Sequence, residues 1–389
     1  MRPGNGAPSR SRLAAGALAA SLAVAGLTGC DEDPEVVTAA ITAAVDAPPV
    51  EVTAEASPGV LGADEPILAA SQLRLMLEQL LGEHVLLMAG AADDHADGLS
   101  TEAALAVVAD NTDALTEAIA LVYGDVGGRA FASLWSQHVA FFLDHARGTA
   151  ASDHQVVDEA SAHLRHYEQG FGSFTATATG GALPADAVTQ LLAVHTTDIN
   201  GYVAARLADD AELSATTLAT GHDYAADIGA TLAAAIAGQG PVAFPGDSGD
   251  GRTVVAAELA RAFANDLAVR ASGVEVSGAA ADGGAAGAPS AGSAADAAGV
   301  AATAAGERLQ SAVRAAADDV PGASAALERL TGAPAGTRAD ADALAASLGV
   351  PELGDALWTI ATAPAGDPTA PELIEAHRAA YLVATTWRD

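Results

Sequence analysis

Leu80-Leu81-Gly82-Glu83-His84, Leu134-Trp135-Ser136-Gln137-His138 and Leu191-Leu192-Ala193-Val194-His195 share one template: Leu, then Leu or Trp, two variable residues, then His. The steps between them are 54 and 57 residues. Regular spacing of that size points to duplicated helical hairpins rather than scattered histidines. Nine of the ten histidines fall between His84 and His222, so what they do is the main functional question.

Outward from these copies, residues Ile67 to Ile236 follow a 3.6-residue apolar period that predicts six helices. The first carries Leu73, Leu77, Leu81 and Leu87, and the second, opened by Ser100-Thr101-Glu102, carries Val108, Leu115, Ile119 and Val122. Phe131 and Phe141 mark the third, Leu164 and Phe171 the fourth, Leu192 and Ile199 the fifth, Leu218 and Ile236 the sixth. Gly180-Gly181 and Pro184 separate the fourth from the fifth, and Gly238-Gln239-Gly240-Pro241 stops the sixth. Short links between antiparallel neighbours give three hairpins, hence an all-α, six-helix bundle of repeated hairpins.

Each helix places one polar ring or amide in its apolar stripe: His84, Asn111, His138, Tyr167, His195 or His222. If the hairpins stack in register, these residues share one level of the core. Neutral imidazole is a common ligand for Zn, Cu or haem iron, and a metal satisfies several buried rings together. His84, His138, His195 and His222 are therefore the candidate ligands, with Asn111 and Tyr167 orienting rings and Met88 one turn from His84. The competing reading is that these groups hydrogen-bond one another to fix helix register and bind nothing. His95, His154, His163 and His166 lie in acidic or polar contexts that predict a solvated surface. His377 repeats the Leu-to-His spacing from Leu373 without a partner in its own segment and reads as incidental.

Known catalytic signatures are missing. No Glu lies three residues before a His, and there is no His-Glu-x-x-His, Walker loop or dinucleotide-binding glycine motif. Gly246-Asp247-Ser248-Gly249 resembles the nucleophile segment of trypsin-like proteases, but that fold is all-β and this context is helical, which predicts a plain loop.

The N-terminus has its own logic. Arg2, Arg10 and Arg12 precede a short apolar run, Leu13 to Leu27, that ends in Leu27-Thr28-Gly29-Cys30. This segment resembles the signal peptide and lipobox of bacterial lipoproteins. The resemblance implies cleavage before Cys30, a lipid on its sulfur, and attachment to the extracytoplasmic face of the cell membrane. Cys30 is the sole cysteine, so neither an internal disulfide nor a thiolate metal site can form. All 17 basic residues are Arg, against 50 acids, a composition like that of high-GC actinobacteria; the net charge of −33 repels nucleic acid and anionic headgroups.

These signals divide the chain into a signal peptide (1–29), an acidic tether (30–65), the histidine-containing domain (66–247), a helix (248–272), a Gly/Ala/Ser linker (273–299) and a small Ala-rich helical C-terminal unit (300–389). Glu83-His84-Val85, Asn111, Val122-Tyr123-Gly124, Leu134 to His138 and Ala234-Ala235-Ile236 through Phe244-Pro245-Gly246 are similar to exported helical proteins of Gram-positive bacteria without assigned function. The likeness spans residues 67–247, and His222-Asp223 departs from the Tyr-Ala-His-Met-like stretch of those proteins. The expectation is a membrane-anchored envelope protein with a structural or interaction role, no catalysis and an unidentified protein partner. The alternative is transition-metal or haem binding through the histidine layer.

Overall fold

The computed structural model describes residues 60–96, 99, 101–272, 305–317, 320–331 and 336–388. Cys30, the signal peptide, most of the tether and the 273–299 linker lie outside the described residues. Every described element is helical, and no strand occurs among the described residues.

The apolar periodicity gives the six expected helical limbs, two of them continuous through a reversal: α1 (Ala70–Ala96), α2 (Glu102–Ala150), α3 (His154–Ala178), α4 (Ala185–Leu207) and α5 (Ala211–Gln239). The second and third expected helices are the two limbs of α2, joined at Gly124 without a loop. Gly124 has φ 74° and ψ 174°, a conformation that residues with a Cβ rarely adopt. The bend there is a reversal. Asn111 donates to the Leu80 carbonyl at 3.0 Å, while His138 reaches His84 on the next turn of α1. In a straight helix Asn111 and His138 would stand about 40 Å apart. Past the bend, Gly128 lies so close to Ala120 that a Cβ would come within 2.7 Å of its methyl.

Two later turns repeat one solution. Ser152 and Asp209 both take φ 54°, and each is followed by an aspartate, Asp153 or Asp210, whose carboxylate accepts backbone N–H groups of the next helix. The N–H groups of those aspartates reach back to Gly148 and Ala205 carbonyls at 2.8 and 2.9 Å, a Schellman closure. The expected cap at Ser100-Thr101 is weaker than its sequence suggested: Thr101 is the N-cap of α2, but its side chain makes no capping bond.

The five helices close into a ring, each packing on the next and α5 packing back on α1. Gly229 on α5 lies against the α1 backbone, where a Cβ would stand 2.7 Å from the Glu78 nitrogen. The end of the expected tether belongs to this structure: Val60, Leu61 and Ala63 pack on the core, and Leu61 lies against Gly240.

After α5, Asp250 caps α6 (Gly251–Ala271) through the Arg252 and Thr253 nitrogens. Then follow α7 (305–316), α8 (Val320–Thr331), α9 (Arg338–Ser347), α10 (Gly354–Ala361) and α11 (Pro371–Arg388). These form a second apolar core around Leu267, Val313, Leu344, Leu357 and Val383. The expected C-terminal unit thus has a core of its own, but it does not stand apart. Its last helix, α11, packs on both α6 and α1, and Leu373 and Ile374 belong to the first core. This explains why α1 is buried on every side: Leu77 and Leu81 face the ring, while Leu75 packs with Tyr381 and Ala384 of α11. Ala70–His95 is long and apolar enough to cross a membrane by composition, yet 83% of that window is buried within the protein.

Candidate functional site

Two imidazole pairs lie in the interior. His84 of α1 and His138 of α2 face each other Nε2 to Nε2 at 3.0 Å. His222 of α5 and His377 of α11 do the same at 2.9 Å. All four rings are buried.

Neighbouring acceptors decide the proton positions. His138 Nδ1 points at the Trp135 carbonyl, which only accepts, so Nδ1 carries the hydrogen and donates it. His138 Nε2 is then a lone pair, and His84 donates to it from its own Nε2. His84 Nδ1 is left without a hydrogen-bond partner. The second pair repeats this order. Asn265 donates its amide to Asp223 at 2.6 Å, so its oxygen faces His222 Nδ1 at 3.1 Å and accepts from it. His377 therefore donates from Nε2 to His222, and His377 Nδ1 is the atom without a partner.

Around the first pair the rings are stacked closely. Tyr167 lies parallel to His138 at 4.8 Å between centroids, and Trp135 meets His138 edge-on at 4.3 Å. Burial, then His138 and His195, lowers the proton affinity of His84 well below the ordinary value, with Asn111 beside it opposing the shift. Burial, then His195, brings His138 down to about 3; burial brings His195 down to about 4. His195 shares with His84 and Trp135 a largely apolar cavity of about 30 Å³, the volume of one water molecule.

Charge surrounds the second pair. Burial takes His222 down to about 4, with Asp223 opposing and Arg261 reinforcing the shift. His377 is lowered by burial, then by His222 and Arg378. Glu78, fully buried on α1, accepts from Arg74 at 2.7 Å and from Arg261 at 3.0 Å. Glu83, one turn on, accepts both ends of the Arg378 guanidinium. Gly82 lies between them, and a Cβ there would approach His222 Nε2 to 2.4 Å.

The expected histidine layer is therefore divided. His84, Asn111, His138, Tyr167 and His195 gather at one level, as their spacing suggests. His222 does not join them, because its ring turns across Gly82 to a helix that the repeat pattern does not include. His377, read as incidental, is its partner. Met88 is buried in the same core as His84. His154, His163 and His166 are exposed, and Gly246 to Gly249 is a loop in which Asp247 caps the Gly249 nitrogen at 2.8 Å. Sequence reading also passed over Glu78, Glu83, Arg261 and Arg378. Their signal was two acids, Glu78 and Glu83, within a helix apolar enough to cross a membrane, each of which needs a cation when buried.

Among the described residues no three His, Cys, Asp or Glu side chains gather as a metal cluster. Two rings in hydrogen-bond contact leave no gap for a porphyrin, and the adjacent cavity is far too small for one. The arrangement defines an all-α protein with paired, neutral, buried imidazoles. No family model, curated protein or solved structure matches this chain, so its likeness to exported helical proteins rests on the quoted residues alone.

Proposed function

We propose that this chain is a non-catalytic helical protein held by a lipid on Cys30 at the extracytoplasmic face of the cell membrane, where it serves a structural or interaction role. One observation carries the reading: four pairs of groups able to do acid–base or charge-stabilising work are consumed in long-range internal bonds. His84 holds His138, His222 holds His377, Glu78 holds Arg261 and Glu83 holds Arg378. Buried polar pairs of this kind favour one packing over its neighbours, because a slipped register would strand each partner. Anchoring is supported by Leu27-Thr28-Gly29-Cys30. The test is fractionation of cells making the full chain with and without Cys30→Ala. The native chain is expected in the membrane fraction, resistant to high salt and released by detergent, with the variant soluble outside the cytoplasm. A native chain that remains soluble overturns the reading.

A second reading is favoured by the tautomers. His138 is anchored through Nδ1 to a carbonyl and turns its Nε2 lone pair inward, as metal-ligating imidazoles do. His84 and His138 would then hold a two-coordinate Cu ion between their Nε2 atoms.

A further inference from the structure

We propose that His222 and His377 form a buried binding site for one Cu(I) ion. The inference does not rest on either reading above, since it concerns a pair completed by His377, which lies outside the repeated pattern.

Two nitrogen donors from α5 and α11 already converge, with Nε2 atoms 2.9 Å apart. An ion bonded to both at about 2.0 Å needs them about 3.3 Å apart at a tetrahedral angle and about 4 Å apart in a linear arrangement. Small rotations of the two side chains supply that opening. His222 is prepared as a ligand: Asn265 holds its Nδ1–H, Asp223 holds Asn265, and Arg308 holds the other Asp223 oxygen at 2.8 Å. Such a chain of outer contacts fixes the tautomer that presents Nε2.

His377 is prepared differently. Its Nε2 hydrogen occupies the position the ion would take, and its Nδ1 is buried with no partner. Moving that hydrogen from Nε2 to Nδ1 frees the second lone pair without releasing a proton. The Tyr381 ring lies 5.3 Å from His377, and its hydroxyl is also buried and without a hydrogen-bond partner. Gly82 faces His222 Nε2, and the ring sits in space that a Cβ there would take.

The donor set selects the ion. Zn(II) prefers four ligands, and no third His, Cys, Asp or Glu joins this pair among the described residues. Cu(I) is stable with two nitrogens, and it brings a single positive charge into a sealed interior. Asp223, behind Asn265, supplies a nearby negative charge.

The experiment uses the full chain with Cys30→Ser, which removes the one thiol, in a His84→Leu/His138→Leu background that removes the other pair. Anaerobic titration with Cu(I) against a chromophoric Cu(I) chelator is expected to show one equivalent retained. X-ray absorption should show nitrogen donors only, and calorimetry in buffers of different ionisation enthalpy should show no proton release. Adding His377→Gln should abolish retention, and Asn265→Leu should weaken it about 10–100-fold. If His377→Gln fails to fold, judged by circular dichroism, Gly82→Ala replaces it and should also lose the ion. No Cu(I) retained, retention indifferent to these changes, or a preference for Zn(II) in a parallel titration would each overturn the proposal.

Discussion

His84 and His138 meet among Trp135, Tyr167 and aliphatic side chains, whereas His222 and His377 meet beside Asn265, Asp223, Arg261 and Arg378. The bond is the same in both places, but its surroundings are not. At the first pair the proton affinities are lowered by burial and by other imidazoles, with no carboxylate or guanidinium among the causes. At the second, Asp223 pulls His222 up while Arg261 pushes it down. A neutral pair in an apolar setting contributes mostly shape and one hydrogen bond. A pair wired into ionic neighbours cannot be removed without stranding other groups.

Four experiments would break or sharpen that contrast. The largest effect is expected from Gly229→Ala, which thrusts a methyl into the α1 backbone at Leu77 and Glu78 and separates the helices that carry both pairs. Backbone cannot rotate away, so a loss of about 3 kcal/mol is expected in urea unfolding. A cost below about 1 kcal/mol would show that α1 and α5 are not locked together there.

Acid comes next. Six histidines, His84, His138, His145, His195, His222 and His377, have folded-state proton affinities lowered chiefly by burial. The unfolded chain therefore binds more protons than the folded one once the pH falls below about 6.5. Their stabilising contribution is complete above that pH and declines on acidification toward pH 4, the level to which burial brings His195 and His222. The slope of metal-free stability against pH should correspond to an uptake of up to six protons on unfolding. A flat profile between pH 6.5 and 4.5 would contradict the burial of these rings.

Leucine substitution separates the pairs directly. His84→Leu or His138→Leu alone should cost about 1–3 kcal/mol, because the remaining ring is buried unpaired. The double variant should recover most of that loss. At the second pair the double variant His222→Leu/His377→Leu should recover little, since Asn265 loses its ring. Equal recovery at both pairs would erase the distinction. The smallest effect is expected from Tyr167→Phe. The hydroxyl has no partner, so stability should change by less than about 1 kcal/mol while the stack on His138 persists in the aromatic signals of an NMR spectrum.

The first pair was legible in the sequence, and the second was not. Leu80 to His84 and Leu134 to His138 announce themselves by repetition, and stacked hairpins put equivalent positions at one height. The same periodicity separates apolar from polar faces, so it located most helix ends and the burial of Asn111 and Tyr167. It gave no warning that α1 lies at the centre with partners on all sides. That fact depends on α11, whose Arg378 and His377 meet residues 295 and 155 positions earlier in the chain. Contacts of such separation leave no local pattern. The loopless reversal at Gly124 was missed for a different reason. A lone glycine between helical segments reads as an ordinary boundary, and only its positive φ shows that it replaces a whole connection.

The position of α11 has a consequence for how the chain is made. Its apolar helix α1 is synthesised early, yet one flank of that helix stays uncovered until residues 371–388 have emerged. Completion of this interior must therefore wait for α11, and a chain cut short before it would leave Glu83 and His222 without their partners beside a greasy surface. Proteolysis would then act on chains lacking α11 and spare those that have it.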